Sequence, residues 1–240
     1  MAAAAAAGRR HVGIGQTSAV GDEDEWRAAW SSAAGTGRDS LAVLDALLER
    51  HRQPHRRYHG VHHVVWVLRH VHALAAEHRP ADLGAIVAAA CFHDAVYDPR
   101  RSDNETASAD LAHRELRSLC WSSDRCAAVG TMILATAGHV PPDDGGELVD
   151  VGPAAGDADV AILLDADLAV LGADAAGYQA YVTGLRTEYA HVDDDGWRAG
   201  RGAVVRGLLA RQPMFHTRAG REWWDARARA NLAAELATLG

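Results

Sequence analysis

The stretch Ala81-Asp82-Leu83-Gly84-Ala85-Ile86-Val87-Ala88-Ala89-Ala90-Cys91-Phe92-His93-Asp94 decides the fold. From Leu83 to Phe92 it holds no polar side chain. A helix that is apolar on every side has to be enclosed by others. It is also far shorter than the roughly 20 residues needed to cross a membrane, and no other run comes closer. Its end poses an electrostatic question. An ionised carboxylate in a low-dielectric interior is costly unless it is paired or bound to metal. The pair His93-Asp94 therefore needs partners, and the rest of the chain is read for them.

The 240 residues are 48% hydrophobic and 23% charged, the balance of a globular protein with a sizeable core. Abundant Ala and Leu with only 2 Phe favour helix. A formal net charge of -8 and a pI near 5.9 argue against polymeric nucleic acid or an anionic membrane as partner. The 14 His are many for this length and crowd between His51 and His93. The 3 Cys (Cys91, Cys120 and Cys126) have neither zinc-knuckle nor redox-pair spacing, which fits reduced thiols and a cytoplasmic location. The run Ala2 to Ala7 precedes Gly8-Arg9-Arg10, the wrong order for a signal peptide.

Residues 1–20 have no hydrophobic period and read as a disordered tail; 21–240 read as one helical domain. A first helix starts near Asp22, with Trp26 and Trp30 on one side. A second is capped by Asp39 or Ser40, carries the stripe Leu41, Leu44, Leu47 and Leu48, and ends at Pro54. A long helix then runs to about His78, with Val61, Val64, Val65, Leu68, Val71 and Ala75 on one face. His59, His63, Trp66 and His70 fall opposite. A solvated face normally carries Lys and Glu, so this one reads as functional, with His59 and His63 one turn apart. Ser102-Asp103-Asn104-Glu105 has the capping-box pattern and opens a helix to about Leu119. Another helix spans about Ser123 to Thr136, ending at Gly138-His139. Pro141 to Gly156 reads as a surface loop. In Asp159–Gly172, Asp167 falls within the apolar stripe and Asp165 beyond its edge, so Asp167 is the carboxylate that needs a cation. Helices over about Gly177 to Tyr189 and Asp195 to Ala210 follow, then a break at Arg211-Gln212-Pro213 and a final helix from Ala226 to Leu239. No segment has strand period.

His63, His93, Asp94 and Asp167 form a two-imidazole, two-carboxylate set drawn from three helices. This mix suits a hard or borderline divalent cation: Mn, Mg, Fe, Co or Ni. Such an ion makes a nucleophile of water at neutral pH. Three fragments carry a resemblance. Tyr58-His59-Gly60-Val61-His62-His63-Val64 is similar to the Tyr-His-Asn-x-x-His stretch of cyclic nucleotide phosphodiesterases, with Gly60 in place of Asn. Phe92-His93-Asp94-Ala95-Val96-Tyr97-Asp98-Pro99-Arg100-Arg101-Ser102-Asp103-Asn104-Glu105 resembles the core of a bacterial branch of predicted HD phosphohydrolases. Leu163-Leu164-Asp165-Ala166-Asp167-Leu168-Ala169-Val170-Leu171-Gly172 resembles that branch's last ligand segment and the Ala-Asp-Leu-Ser of the phosphodiesterases. The chain thus resembles the HD superfamily of metal-dependent phosphohydrolases, from about Leu41 to Arg229-Ala230-Asn231-Leu232.

The resemblance implies a compact all-α bundle with the metal site between central helices. It makes His63, His93, Asp94 and Asp167 metal ligands and His59 the proton donor. The expected activity is hydrolysis of a small phosphorylated substrate, a nucleotide among the candidates. Of the nearby Arg56, Arg57, Arg100 and Arg101, we expect Arg57 and Arg101 to steady phosphate oxygens, against the alternative that each is solvated surface. Glu105 is a catalytic candidate and His139 a substrate-binding one; either could instead serve a second ion. Capping alone also explains Glu105, and backbone carbonyls at a helix end also explain His139. Two other classes compete: a dinuclear-iron oxygenase on the same scaffold, and a non-catalytic binding protein. The oligomeric state is open, with Trp223-Trp224 a contact only if exposed.

Overall fold

The computed structural model of the protein describes residues 19–141 and 155–240. The tail expected over 1–20 lies outside them except for its last two residues, which belong to the first helix. The loop expected over 141–156 lies outside them except at its ends. The helices are α1 (Ala19–Ala34), α2 (Arg38–His51), α3 (Val61–Glu77), α4 (Leu83–Phe92), α5 (Asn104–Ser118), α6 (Ser123–Thr136), α7 (Ala155–Leu168), α8 (Ala175–Glu188), α9 (Asp194–Ala210) and α10 (Arg218–Leu239). A short 3-10 turn, Ala169–Gly172, continues α7. No strand occurs among the described residues, and none of these helices is long and apolar enough to cross a membrane. The protein is an all-α bundle.

Helix α4 is the hub that its composition requires. Every residue from Ala85 to Phe92 is buried, and α1, α3, α5, α6 and α7 all pack on it. Its start is fixed by Asp82, whose side chain caps Ala85 N and is held in turn by Arg125 at 2.6 Å. On α1, Trp26 and Trp30 are fully buried at i, i+4, and Trp26 Nε1 donates to Cys91 Sγ of α4 at 3.0 Å. Burying two indoles brings a large apolar area out of water while their N–H groups keep partners.

Helix α3 is enclosed almost all round. His63, Trp66 and His70 are as buried as the valine face, so the polar-looking side is not solvated. His70 donates from Nδ1 to Trp66 O at 2.7 Å and packs edge-on against Trp224. It is a core histidine, not part of a site. His59 precedes α3 instead of lying on it.

Some boundaries differ from the expected ones. Gly37, not Asp39 or Ser40, caps α2; the Ser40 hydroxyl instead accepts from Trp30 Nε1 and donates to Gly35 O. The capping box at Ser102 does not form: Asp103 is the N-cap, its side chain bonding no N–H of the helix, and Ser102 lies outside the helix. Asn104 does the local work, tying itself to Asp98 N and O and so closing the loop after α4. The last helix starts eight residues earlier than its apolar pattern shows, because Thr217 caps it. Trp224 is buried there, while Trp223 is 36% exposed. The 3-10 turn lies so close to α10 that a Cβ at Gly172 would stand 2.5 Å from Trp224 Cβ.

Candidate metal centre

Three elements deliver the central side chains. His63 stands in the first turn of α3, His93 and Asp94 at the end of α4, and Asp167 in the last turn of α7. The end of α4 is fixed by Arg56, which is buried. Its Nη1 donates to Asp94 O at 2.7 Å and to His59 O at 3.0 Å, and its Nη2 donates to Ala95 O at 3.2 Å. One guanidinium thus satisfies carbonyls left open at a helix end and holds the approach to α3 against them. Arg56 is a structural clamp and is not free for phosphate.

The donor atoms converge. His63 Nε2 and His93 Nε2 stand 3.1 Å apart. Asp94 Oδ2 is 3.3 Å from the first and 3.1 Å from the second. Asp167 Oδ1 is 3.3 Å from His63 Nε2 and 3.7 Å from His93 Nε2. His63, His93 and Asp94 have the mutual spacing of metal donors. Neighbouring ligands on an octahedral ion with bonds of about 2.1 Å stand about 3 Å apart, so the spacing fits such an ion. His93 Nδ1 donates to Ala90 O at 2.9 Å, which leaves Nε2 as the lone-pair nitrogen of a neutral ring. His63 Nδ1 is buried with no hydrogen-bond partner, so only one of the two rings has this outer support.

The electrostatics agree with a site for positive charge. Burial alone would push the His63 imidazole down, yet the carboxylates of Asp167 and Asp94 outweigh it and hold it above its ordinary value. At His93 burial also opposes the charge, and Asp94 and Asp167 overcome it, raising the ring to about 10. Burial would raise both carboxyls. The charges of His93 and His59 hold Asp94 well below the usual range, and hydrogen bonds from His139 and His63 do the same for Asp167. Two imidazoles whose Nε2 atoms face each other at 3.1 Å cannot both carry a proton there. His63, His93 and Asp94 could hold a metal ion, and a positive charge there would relieve the conflict.

His59 lies beside this set, its ring centroid 5.5 Å from that of His63. Glu188, at the end of α8, holds it. Oε1 accepts from the backbone N of Arg57, Tyr58 and His59, and Oε2 accepts from His59 Nδ1 at 2.7 Å and from the Tyr97 hydroxyl at 2.8 Å. Burial would raise this carboxyl, but the His59 contact and these N–H groups bring it down to about 2. The sequence reading missed Glu188. Its partners are 91 to 131 residues away, and nothing local marks it.

His139 joins the cluster through a 2.9 Å contact between its Nε2 and Asp167 Oδ2. Its backbone is left-handed, with φ 48°. Other expected residues are not brought in. Glu105 is half-buried, and its side chain makes no hydrogen bond or ion pair among the described residues. Arg57 contributes only its backbone N–H, with its side chain exposed. Arg101 is exposed and pairs with Asp103, lining a separate hollow beyond Tyr97 together with Arg100. A cleft of about 450 Å³ does reach Asp167, His139 and His59, and the cation on its wall is Arg211. Arg211 donates to His139 O at 3.1 Å and to Gly138 O at 2.7 Å.

Asp165, two residues before Asp167, is fully buried and points elsewhere. Oδ1 accepts from His216 N, and Oδ2 accepts from Thr217 N and Thr217 Oγ1, each at 2.7 Å. It anchors the start of α10, where Gly220 leaves room for it. No family model, no curated protein and no solved structure matches the chain.

Proposed function

We propose that the protein is a metal-dependent phosphohydrolase acting on a small phosphate ester. The observation that carries this reading is the convergence of His63, His93 and Asp94 at 3.1–3.3 Å, with Asp167 Oδ1 3.3 and 3.7 Å from the two imidazoles, beside an open cleft. These four residues would hold a divalent cation, with Mn, Mg, Fe, Co and Ni suited to the donor mix. When bound, such an ion supplies a nucleophile from water and draws negative charge from phosphate oxygens. The remaining work falls to the chain's own groups. Glu188 fixes the His59 ring through Nδ1, so Nε2 is the atom left to hand a proton to the departing oxygen. His139, bonded to Asp167, keeps that carboxylate oriented. The all-helical fold and the order His, His-Asp, Asp along the chain support kinship with the HD superfamily.

The test is Asp94→Ala, assayed with Mn against nucleotides, sugar phosphates and phosphodiesters. Loss of an outer-shell partner costs about 10–100-fold, so loss of a ligand is expected to cost at least about 100-fold. Hydrolysis at the parent rate would overturn the reading.

A further inference from the structure

The cleft that reaches the candidate centre has a chemistry of its own. At one end stand Asp167, His139 and His59. Beyond them its walls are Leu168, Leu171, Leu185, Val204 and Leu208. The rings of Tyr58 and Tyr181 meet edge to face there, with centroids 4.8 Å apart. Val204 is 53% exposed, an apolar side chain left uncovered at this wall. Among the described lining residues there is no Asn, Gln, Ser or Thr. Several of the polar groups present are already engaged. Arg211 holds two backbone carbonyls, His139 Nε2 is on Asp167, and the Tyr181 hydroxyl accepts from Arg201 Nη1 at 3.1 Å.

A nucleoside or sugar entering this space would bury ribose hydroxyls and base edges against leucine and valine. Polar groups taken from water without partners weaken binding. A ring or branched chain would instead lose apolar area to apolar walls. We infer that the substrate is a phosphate monoester of an aromatic or other apolar alcohol, and that the apolar walls take the alcohol. This rests on the phosphohydrolase reading. In the reaction, water gives up one proton to solvent as its oxygen bonds to phosphorus, the ester P–O bond breaks, a proton from His59 ends on the departing alcohol, and His59 regains its proton from solvent. The products are the alcohol and inorganic phosphate.

The test uses the full chain with Mn and two ligands that water cannot cleave, naphthylmethylphosphonate and the phosphonate isostere of AMP. Calorimetric titration is expected to give at least tenfold tighter binding of the naphthyl compound. Val204→Asp, at a position already more than half exposed, is expected to bring that ratio close to one while Mn content stays unchanged. Equal binding of the two ligands, tighter binding of the AMP isostere, or an unchanged ratio in the variant overturns the inference and leaves the metal reading standing. Failure of the parent chain to take up Mn overturns both.

Discussion

Two residues apart on α7, Asp165 gives both carboxylate oxygens to the backbone at the start of α10, while Asp167 faces His63 and His93. Their substitution should separate stability from metal uptake. Asp167→Asn is expected to keep the fold and lose most Mn binding. Asp165→Asn is expected to keep Mn and lose about 2–4 kcal/mol, because an amide N–H₂ would meet N–H donors in a buried place. Metal analysis and urea unfolding of the two variants check this; Mn loss in Asp165→Asn with retention in Asp167→Asn would reverse the assignment. Helical period alone separated the two carboxylates, since residues two apart on a helix point to nearly opposite sides. It also misled in one respect. It placed Asp165 beyond the apolar stripe and so as the less anomalous of the two, yet Asp165 is the one fully enclosed. Packing by α3, α4 and α6, together with the start of α10, covers α7 on several sides, and a stripe cannot report that.

At the scale of elements, the end of α8 is what positions the turn before α3. Glu188 accepts three backbone N–H groups there and one contact each from His59 and Tyr97. Its carboxyl is held down to about 2, against an ordinary value of 4.5. The stability it provides is therefore present above about pH 4.5 and is lost as pH falls from there through 2. Glu188→Gln places a donor against donors. It is expected to cost about 2–4 kcal/mol at pH 7 and to flatten the acid limb of a stability profile; denaturant unfolding at pH 7 and pH 3 measures both. A variant whose loss is equal at both pH values would remove this role. Helices announced by local chemistry were legible: α4 by its apolar run, and α6 by a start and stop that match Ser123–Thr136. Contacts made across the chain were not. Asp165 under the start of α10, Glu188 under His59 and Arg56 under the end of α4 all depend on neighbours that only the assembled bundle supplies.

At the scale of the whole molecule, four buried histidines are shifted in two opposed directions. Burial pushes His51 down to about 3 and His70 down to about 4. The unfolded chain protonates them near 6.5, so below that pH it binds more protons than the folded one. Their contribution is intact above about 6.5 and is lost as pH falls toward 4. His93, raised to about 10, runs the other way in chelator-treated protein: its contribution is present below 6.5 and is lost as pH rises through 10. Thermal melts without metal should therefore show falling Tm on both sides of neutrality. His70→Phe keeps a ring against Trp224 and should make the acid side shallower by up to about 1.4 kcal/mol per pH unit. Parallel slopes in variant and parent would remove His70 from the account. The gathering of His63, His93, Asp94 and Asp167 from distant parts of the chain also has a consequence in time. A ribosome that has completed α4 must still translate α5, α6 and most of α7 before Asp167 exists. At about 5–20 residues per second that is a delay of several seconds. For that interval His63, His93 and Asp94 are made but their fourth companion is not, so the assembled cluster belongs to the late life of the nascent chain.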